Sequence, residues 1–515
     1  MRKSYLFMAI CFVLGAVMAF GAADVYAGTT GKIQGVVRDA QTGEALPGAN
    51  VVLEGTKRGA TTDVNGYYII LLVDPGSYAM NASLIGYDNQ RKTDVRVQSD
   101  FTSEVNFLIR EAALQLGDMV VVAERPPVEP DRTTSKYIVG ADDIESVPMV
   151  RSASEFIELQ AGVSVDGDVS IRAGDAQDTA YYVDGVRLNS TDGNVRVYRD
   201  VNRSSIQEMT VITGGMEAEY GNAQAGVVSF VTREGGQSYS GLVDYQFQPS
   251  GQKHWGANVY DSAIHRGSNA WDNPDWIGET VTLPDGSTVP AHQRKDYTGT
   301  IGHFIEGNLS GPLSESFTFF ASSKYNRQAS TFPSPNLATP FNTNSNLKLS
   351  YTASPTVKVR AGGFYDKREG FNRGPTEGGL LDLRNDGKNL FMVVPAPAGN
   401  REDIDLLAWA GITHSLSPKT FYELRLSMSK STRDTTGLPT GGGLATPETS
   451  ISSNPVKDTA GRYTVFREVV NWERFNRQRL ALKADLSSQI NKQNFVKLGF
   501  EVTRFNNWWQ SYQSD

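Results

Sequence analysis

The stretch IRAGDAQDTAYYVDGVRL, residues 171 to 188, gathers Asp175, Asp178 and Asp184 beside Arg172, Arg187 and the pair Tyr181, Tyr182. Carboxylates, guanidinium groups and phenols at this density are the parts of a general acid–base site, and closely spaced acids are also the parts of a cation loop. The overlapping DGDVSIRAGD offers Asp166, Asp168 and Asp175 as oxygen ligands. Calcium needs about six to eight oxygens from a loop of defined turn, whereas Val169 to Arg172 reads as strand. Acids that cap turns account for the same residues more simply.

A second set is His303 and Glu306, an H-x-x-E, with His414 downstream. The layout resembles the zinc ligands of metallocarboxypeptidases. Both residues lie in HFIEGNLSG, a strand pattern, and in a strand a spacing of three sends side chains to opposite faces. The reading is therefore of no catalytic residue, no metal site and no cofactor, and the acids are expected to serve architecture.

That architecture is read as mainly β. Among 515 residues, 50 Gly, 21 Tyr and 23 Phe favour short strands joined by turns over long helices. A net charge of −8 offers no footprint for phosphate, which excludes nucleic acid as an expected partner. Arg2 and Lys3 precede an uncharged apolar run from Tyr5 to Phe20, and Val25, Tyr26 and Ala27 supply a cleavage pattern. The run falls short of the roughly 20 residues of a spanning helix, so residues 1–27 are expected to be a cleaved signal peptide. The single cysteine, Cys11, lies inside that run, so the exported chain carries no disulfide.

Residues 28–112 show short alternating runs (Ile33, Gly35, Val37; Ala49, Val51, Leu53) cut by turn signals at Pro47 and Gly48, Asn65 and Gly66, and Pro75 and Gly76. This predicts a small β-sandwich. Its pattern GVV.D..TGE.L.GA.V resembles the carboxypeptidase regulatory-like domain, a transthyretin-like sandwich. Residues 113–135 hold a short apolar run, DMVVVA, before Pro126, Pro127 and Pro130. The run is either a strand offered to a partner's sheet edge or the last strand of the sandwich before an extended linker.

Residues 136–236 read as a compact mixed α/β unit. Ser152 and Glu155 stand at capping-box spacing before Phe156, Ile157 and Leu159, and VSIRA, AYYVDGVRL, MTVIT and GVVSFVTR read as strands. Residues 237–515 settle into long two-residue alternation: Tyr422, Leu424, Leu426 and Met428 share one face, Glu423, Arg425, Ser427 and Ser429 the other. Tight links at 311–316, 352–356, 416–420 and 488–494 alternate with long polar ones near 249–298, 328–342, 369–403 and 431–474. One rim of short turns and one of long loops is the signature of a transmembrane β-barrel. Trp409, Trp472, Trp508 and Trp509 are expected in an interfacial aromatic girdle. The count is about nine strands. An unclosed edge in lipid leaves backbone groups unpaired, so the expectation is the N-terminal part of a larger barrel that the chain leaves incomplete.

The ordered set Ile171, Arg172; Val183, Asp184, Gly185; then Ile206, Val211, Gly214, Tyr220, Gly221, Gly226, Val227, Val228 and Thr232 resembles the plug motifs of TonB-dependent outer-membrane receptors. Ala173 for the usual Gly and Gly215 for a frequent Pro are departures in turn geometry. The resemblance implies that Ile171, Arg172, Asp184, Gly185, Gly214, Tyr220, Gly221 and Gly226 shape or gate the plug. It also makes Asp118, Met119, Val120, Val121, Val122 and Ala123 a TonB box that binds the energy-transducing complex of the inner membrane. The implied activity is energy-coupled uptake of an external ligand of siderophore, cobalamin, glycan or peptide class. The barrel then sits in outer-membrane lipid, with the sandwich and TonB box in the periplasm; some members with such a sandwich use a surface lipoprotein lid. The alternative is a surface-exposed adhesion or structural protein without transport.

Overall fold

The computed structural model describes residues 29–111, 119–122, 135–147, 153–188, 201–215, 223–256, 258, 280–282, 288–290, 297–329, 341–371, 400–436 and 472–512, less positions 57, 100, 167, 173, 175–177, 492 and 493. Asp118, Ala123, Ser152, Asp175, Tyr220 and Gly221, together with the signal segment, lie outside the described residues.

The first unit is a two-sheet sandwich. Its strands are β1 (Gly31–Asp39), β2 (Asn50–Leu53), β3 (Gly59–Thr61), β4 (Tyr67–Val73), β5 (Gly76–Ser83), β6 (Gln90–Val97), β7 (Thr102–Glu104), β8 (Phe107–Ile109) and β9 (Met119–Val122). One sheet has the order β4-β1-β7, with β8 also on β1; the other has the order β3-β2-β5-β6-β9. The alternation read in the sequence is the burial alternation of β1, where Ile33 and Val37 are fully buried. They pack with Val51, Tyr68, Met80 and Phe107 in one apolar core. The apolar run Met119–Val122 is therefore the last strand of the sandwich, parallel to β6 in the register Gln90↔Met119 to Thr93↔Val122.

The second unit carries β10 (Ser135–Gly140), α1 (Ala141–Ser146), α2 (Ala153–Glu158), a hairpin of β11 (Val163–Asp166) and β12 (Asp168–Ile171), then β13 (Thr179–Val183), β14 (Val186–Arg187), β15 (Ile206–Gly214) and β16 (Gly226–Thr232). Its main sheet runs β10-β15-β16-β13-β14, with β13 parallel to β16. Every residue of β13 and β16 is buried, which explains why TAYYV and GVVSFVT are continuous rather than alternating runs. The helix α2 falls where the capping-box spacing predicts one. Helix α1, ADDIES, departs from the sequence expectation, because its single apolar Ile144 gives no helical period to detect.

The third unit is a nine-stranded antiparallel sheet of β17 (Ser240–Gln248), β20 (Gly302–Ser314), β21 (Phe317–Arg327), β22 (Phe341–Ser354), β23 (Val357–Phe371), β24 (Asn400–Ser417), β25 (Thr420–Thr436), β26 (Trp472–Gln489) and β27 (Phe495–Tyr512). A small hairpin, β18 (Thr280–Thr282) and β19 (Thr288–Pro290), lies in the first long connection. Each strand pairs with its sequence neighbour in the sheet, and among the described residues β17 and β27 are its terminal strands. Leu424, Leu426, Met428, Leu480, Leu482, Val496, Leu498 and Phe500 are exposed on its outer face, while Arg425, Ser427, Arg479 and Lys483 are buried on the inner one. This inverted pattern suits a wall with lipid outside and polar contents inside.

One expectation is overturned. Trp409 belongs to no outer girdle: it is 7% exposed and joins Phe364 and Leu407 in the core cluster of the second unit. Its ring lies over Gly362, where an added Cβ would come within 2.7 Å of the indole. Strand alternation places a tryptophan on a face, but only the filled lumen decides that the inner face is dry. Trp508 and Trp509 are both exposed, but as neighbours on β27 they point to opposite faces: Trp508 shares the outer face with Leu498 and Val502, while Trp509 stands on the inner face in register with Phe475; the side chain of Trp472 is outside the described set.

Candidate functional site

Of the acids that suggested chemistry, Asp166 and Asp168 are register partners at the turn of the β11–β12 hairpin and Asp184 lies in the turn after β13. Among the described residues no group of three His, Cys, Asp or Glu side chains could hold a metal. His303 contacts Tyr245 through Nδ1 at 3.1 Å and lies against Phe247, both exposed. Glu306 is 5% exposed and accepts the Ser204 N–H at 2.9 Å from the second unit. The two faces of β20 thus separate the H-x-x-E pair, and His414 meets Tyr422 elsewhere.

Four of the motif residues come together. Ile171 is fully buried and lies over Gly226, where an added Cβ would stand 2.5 Å from Ile171 Cδ1 and 2.9 Å from the Ile212 carbonyl oxygen. The next residue, Arg172, has φ 52 and donates its N–H to the Gly162 carbonyl at 2.7 Å. Its guanidinium covers Gly214, leaving 2.6 Å for an added Cβ. The glycines at 214 and 226 are spaces for the Ile171–Arg172 side chains, so the spaced motif is one packing unit. Gly215, with φ 68, adopts a conformation closed to proline.

Asp184 and Gly185 have φ of 49 and 70, the two positive values of the tight hairpin turn between β13 and β14. The turn aims the Asp184 carboxylate at two units at once. Within its own sheet it accepts the Thr232 N–H at 2.9 Å and hydroxyl at 2.7 Å. From the wall, Lys348 on β22 donates to it at 3.0 Å and to the Thr232 carbonyl at 2.9 Å. Arg425 on β25 donates to the Asp184 backbone carbonyl and lies 5.4 Å from the Trp409 ring. Asp184 is 3% exposed and Lys348 4%. A buried charge is tolerable when paired and hydrogen-bonded, and here both conditions hold. Arg187, the other arginine of the stretch, receives a bond from Arg479 on β26 at its carbonyl. Asn202 reaches Ser322 on β21 at 3.2 Å.

A second polar junction joins all three units. Lys358 and Arg360, on β23 next to a short turn, lie between Asp74 of the sandwich and Glu234 just past β16. The Lys358 contacts are 2.9 and 2.6 Å, and the Arg360 contacts 2.7 and 2.8 Å. Burial pushes the Asp74 carboxyl up, but the Lys358 and Arg360 charges outweigh it and hold the group well below the usual carboxylate range. Glu234 is lowered in the same way, against burial and the Asp74 charge. A cavity of about 630 Å³ opens beside these groups, bounded also by Arg58 and Lys348. The sandwich makes further contacts with the second unit: the Ser99 N–H donates to Glu208 at 3.2 Å, and Arg96 pairs with Asp143 at 3.2 Å. Lys32 donates to Gln489 at the short turn after β26.

The wall cations were missed from sequence because alternation assigns them to the inner face without saying what they meet. Thr232 was within reach, since it closes the motif that Asp184 opens.

Comparison with known proteins bears on this geometry. The family model for the CarboxypepD_reg-like domain matches residues 33–121, and that for the TonB-dependent Receptor Plug Domain matches residues 130–228. The second unit is a TonB-dependent receptor plug. TonB-dependent transporter Oar of Myxococcus xanthus is 28% identical over 291 residues, 53% of this chain and 27% of that protein. TonB-dependent receptor P39 of Formosa agariphila is 31% identical over 234 residues, 42% of this chain and 20% of that protein. The chain therefore matches only a minor part of the length of these relatives. The unliganded ferric citrate transporter FecA has the same fold at a TM-score of 0.50 and 12% identity, over 74% of this chain and 49% of that one. The plug of this chain is thus seated against the inner face of its own wall, with Asp184 at the contact.

Proposed function

We infer that the chain is part of an outer-membrane receptor that takes up an external ligand by energy-coupled transport, without covalent chemistry. The observation that carries the reading is the plug itself: its Asp184 turn is hydrogen-bonded to Lys348 and Arg425 on the inner face of a wall that is apolar outside. A wide barrel with a polar lumen would leak without such a stopper. The ligand is taken from the side of the long connections, and its class is among siderophores, cobalamins, glycans and peptides.

The sandwich lies against short turns, at Lys358 and Gln489, which supports a periplasmic position for it and for Met119–Val122. In this reading Asp118 to Ala123 pair with TonB, and force on them rearranges the plug. Replacing Val121 and Val122 by Pro removes two strand N–H donors. Energy-dependent uptake is expected to vanish while ligand binding at the cell surface persists; uptake at the parental rate would remove the coupling role from this segment. A surface adhesion role predicts no energy-dependent uptake in the parent protein.

A further inference from the structure

A strand has two edges, and among the described residues only one edge of Met119–Val122 is paired. The segment lies parallel to β6 over four register pairs, as the terminal strand of a five-stranded sheet. Among the described residues no strand pairs with its outer edge. The match to the regulatory-like domain, residues 33–121, runs into the same strand, which independently makes it part of the sandwich. The sandwich in turn is fastened to plug and wall through Asp74, Arg96 and Ser99.

Resting on the coupling role proposed above, we propose that the sandwich and Met119–Val122 form one composite docking edge. An extended strand of TonB adds to the outer edge of the segment while the segment stays on β6. Such addition forms main-chain hydrogen bonds and breaks none, whereas removing the segment from β6 first would cost the existing ladder. A segment already held extended has also lost the conformational freedom that a loose tether would lose on binding. The docking edge is carried on a domain fixed beside the short-turn rim, where a soluble domain from the periplasm can reach it. A regulatory-like sandwich at this position thereby presents the coupling strand to its partner.

The test uses the mature receptor in detergent. The only cysteine in this sequence is Cys11, in the expected signal segment; with any cysteine elsewhere in the receptor replaced by Ser, Thr93→Cys with Val122→Cys introduces a single pair at facing register positions. The probe is the purified periplasmic domain of TonB, and the same protein is measured oxidised and reduced, so a folding defect would affect both forms. The oxidised form is expected to bind at least as tightly as the reduced one. Binding weakened ten-fold or more on oxidation, and restored on reduction, would overturn the composite edge and require release of the segment. Occupation of the edge by a second receptor copy, seen as a dimer that TonB does not displace, would overturn it as well. Val121→Pro without the cysteines separates the two readings: undiminished TonB binding there refutes the coupling role itself, independently of the cross-link.

Discussion

Lys348 on the wall and Asp184 at the tip of the plug's hairpin form an ion pair of 3.0 Å with each side chain 4% exposed. The same lysine also bonds the Thr232 carbonyl, so one wall side chain holds both the turn and the neighbouring strand of the plug. Removing one partner of a buried pair leaves a lone charge and costs about 3–5 kcal/mol. Asp184→Asn is expected to loosen the plug by that order, read as protease access to the plug in increasing urea. Adding Lys348→Met should recover part of the loss, because the stranded ammonium is gone. Equal loss in single and double variants would mean that the pair is incidental.

The two motif glycines should differ in tolerance. Gly226→Ala drives its Cβ toward Ile171 Cδ1 and the Ile212 carbonyl oxygen, and backbone cannot swing aside, so a loss of about 1–3 kcal/mol is expected. Gly214→Ala meets the Arg172 guanidinium, the far end of a flexible side chain, and should cost less. Arg172→Ala should relieve Gly214→Ala and leave Gly226→Ala unchanged. Thermal unfolding of the four proteins checks this, and relief of both by Arg172→Ala would refute the assignment of partners.

Acid should undock the sandwich. Asp74 and Glu234 are held below the usual carboxylate range in the folded protein. Groups with depressed folded values contribute fully above their unfolded values, and the contribution is lost as pH falls through the folded ones. Hydrogen exchange around Asp74 should therefore stay constant from neutral pH to the ordinary carboxylate range, then, corrected for intrinsic rate, rise on further acidification. Asp74→Asn should raise exchange at neutral pH and weaken the pH dependence. An unchanged acid profile in that variant would remove the ion cluster from docking.

The outer face of the wall should behave as lipid-facing. Leu482 is 48% exposed there, and an arginine at mid-bilayer on a barrel exterior costs about 2–4 kcal/mol. Leu482→Arg is expected to lower urea stability in bilayers by that order, and Leu482→Phe to change it little. Equal stability of both would argue for a wet outer face.

Much of the architecture was legible because it follows from period. Nine runs of period-two alternation became the nine long strands, and the short links became the tight turns that join them in pairs. The continuous apolar runs in 179–183 and 226–232 became the buried plug strands. Helix α1 left no trace in the pattern, since its polar residues and one isoleucine obey no apolar period. The choice between a partner-binding run and a last sandwich strand at 119–122 was undecidable locally, because both need the same apolar, β-prone residues; the pairing with β6 shows a sandwich strand whose outer edge pairs with no strand among the described residues.

By itself the sequence determined which residues alternate and where most turns fall, since these depend on local backbone preference; the turn at Asp184 and Gly185, inside a run read as one strand, is set by the structure. Only the tertiary structure decided what each polar side chain meets. Lys348, Arg425, Lys358 and Arg360 are four cations among many on an inward face, and strand alternation is blind to what fills the space in front of them. Packing the plug into the wall turned one into the counter-ion of Asp184, set another on its backbone carbonyl, and placed two between Asp74 and Glu234. Asp184, one of the acids that looked like a reactive cluster, is spent on contacts that long-range geometry alone could select.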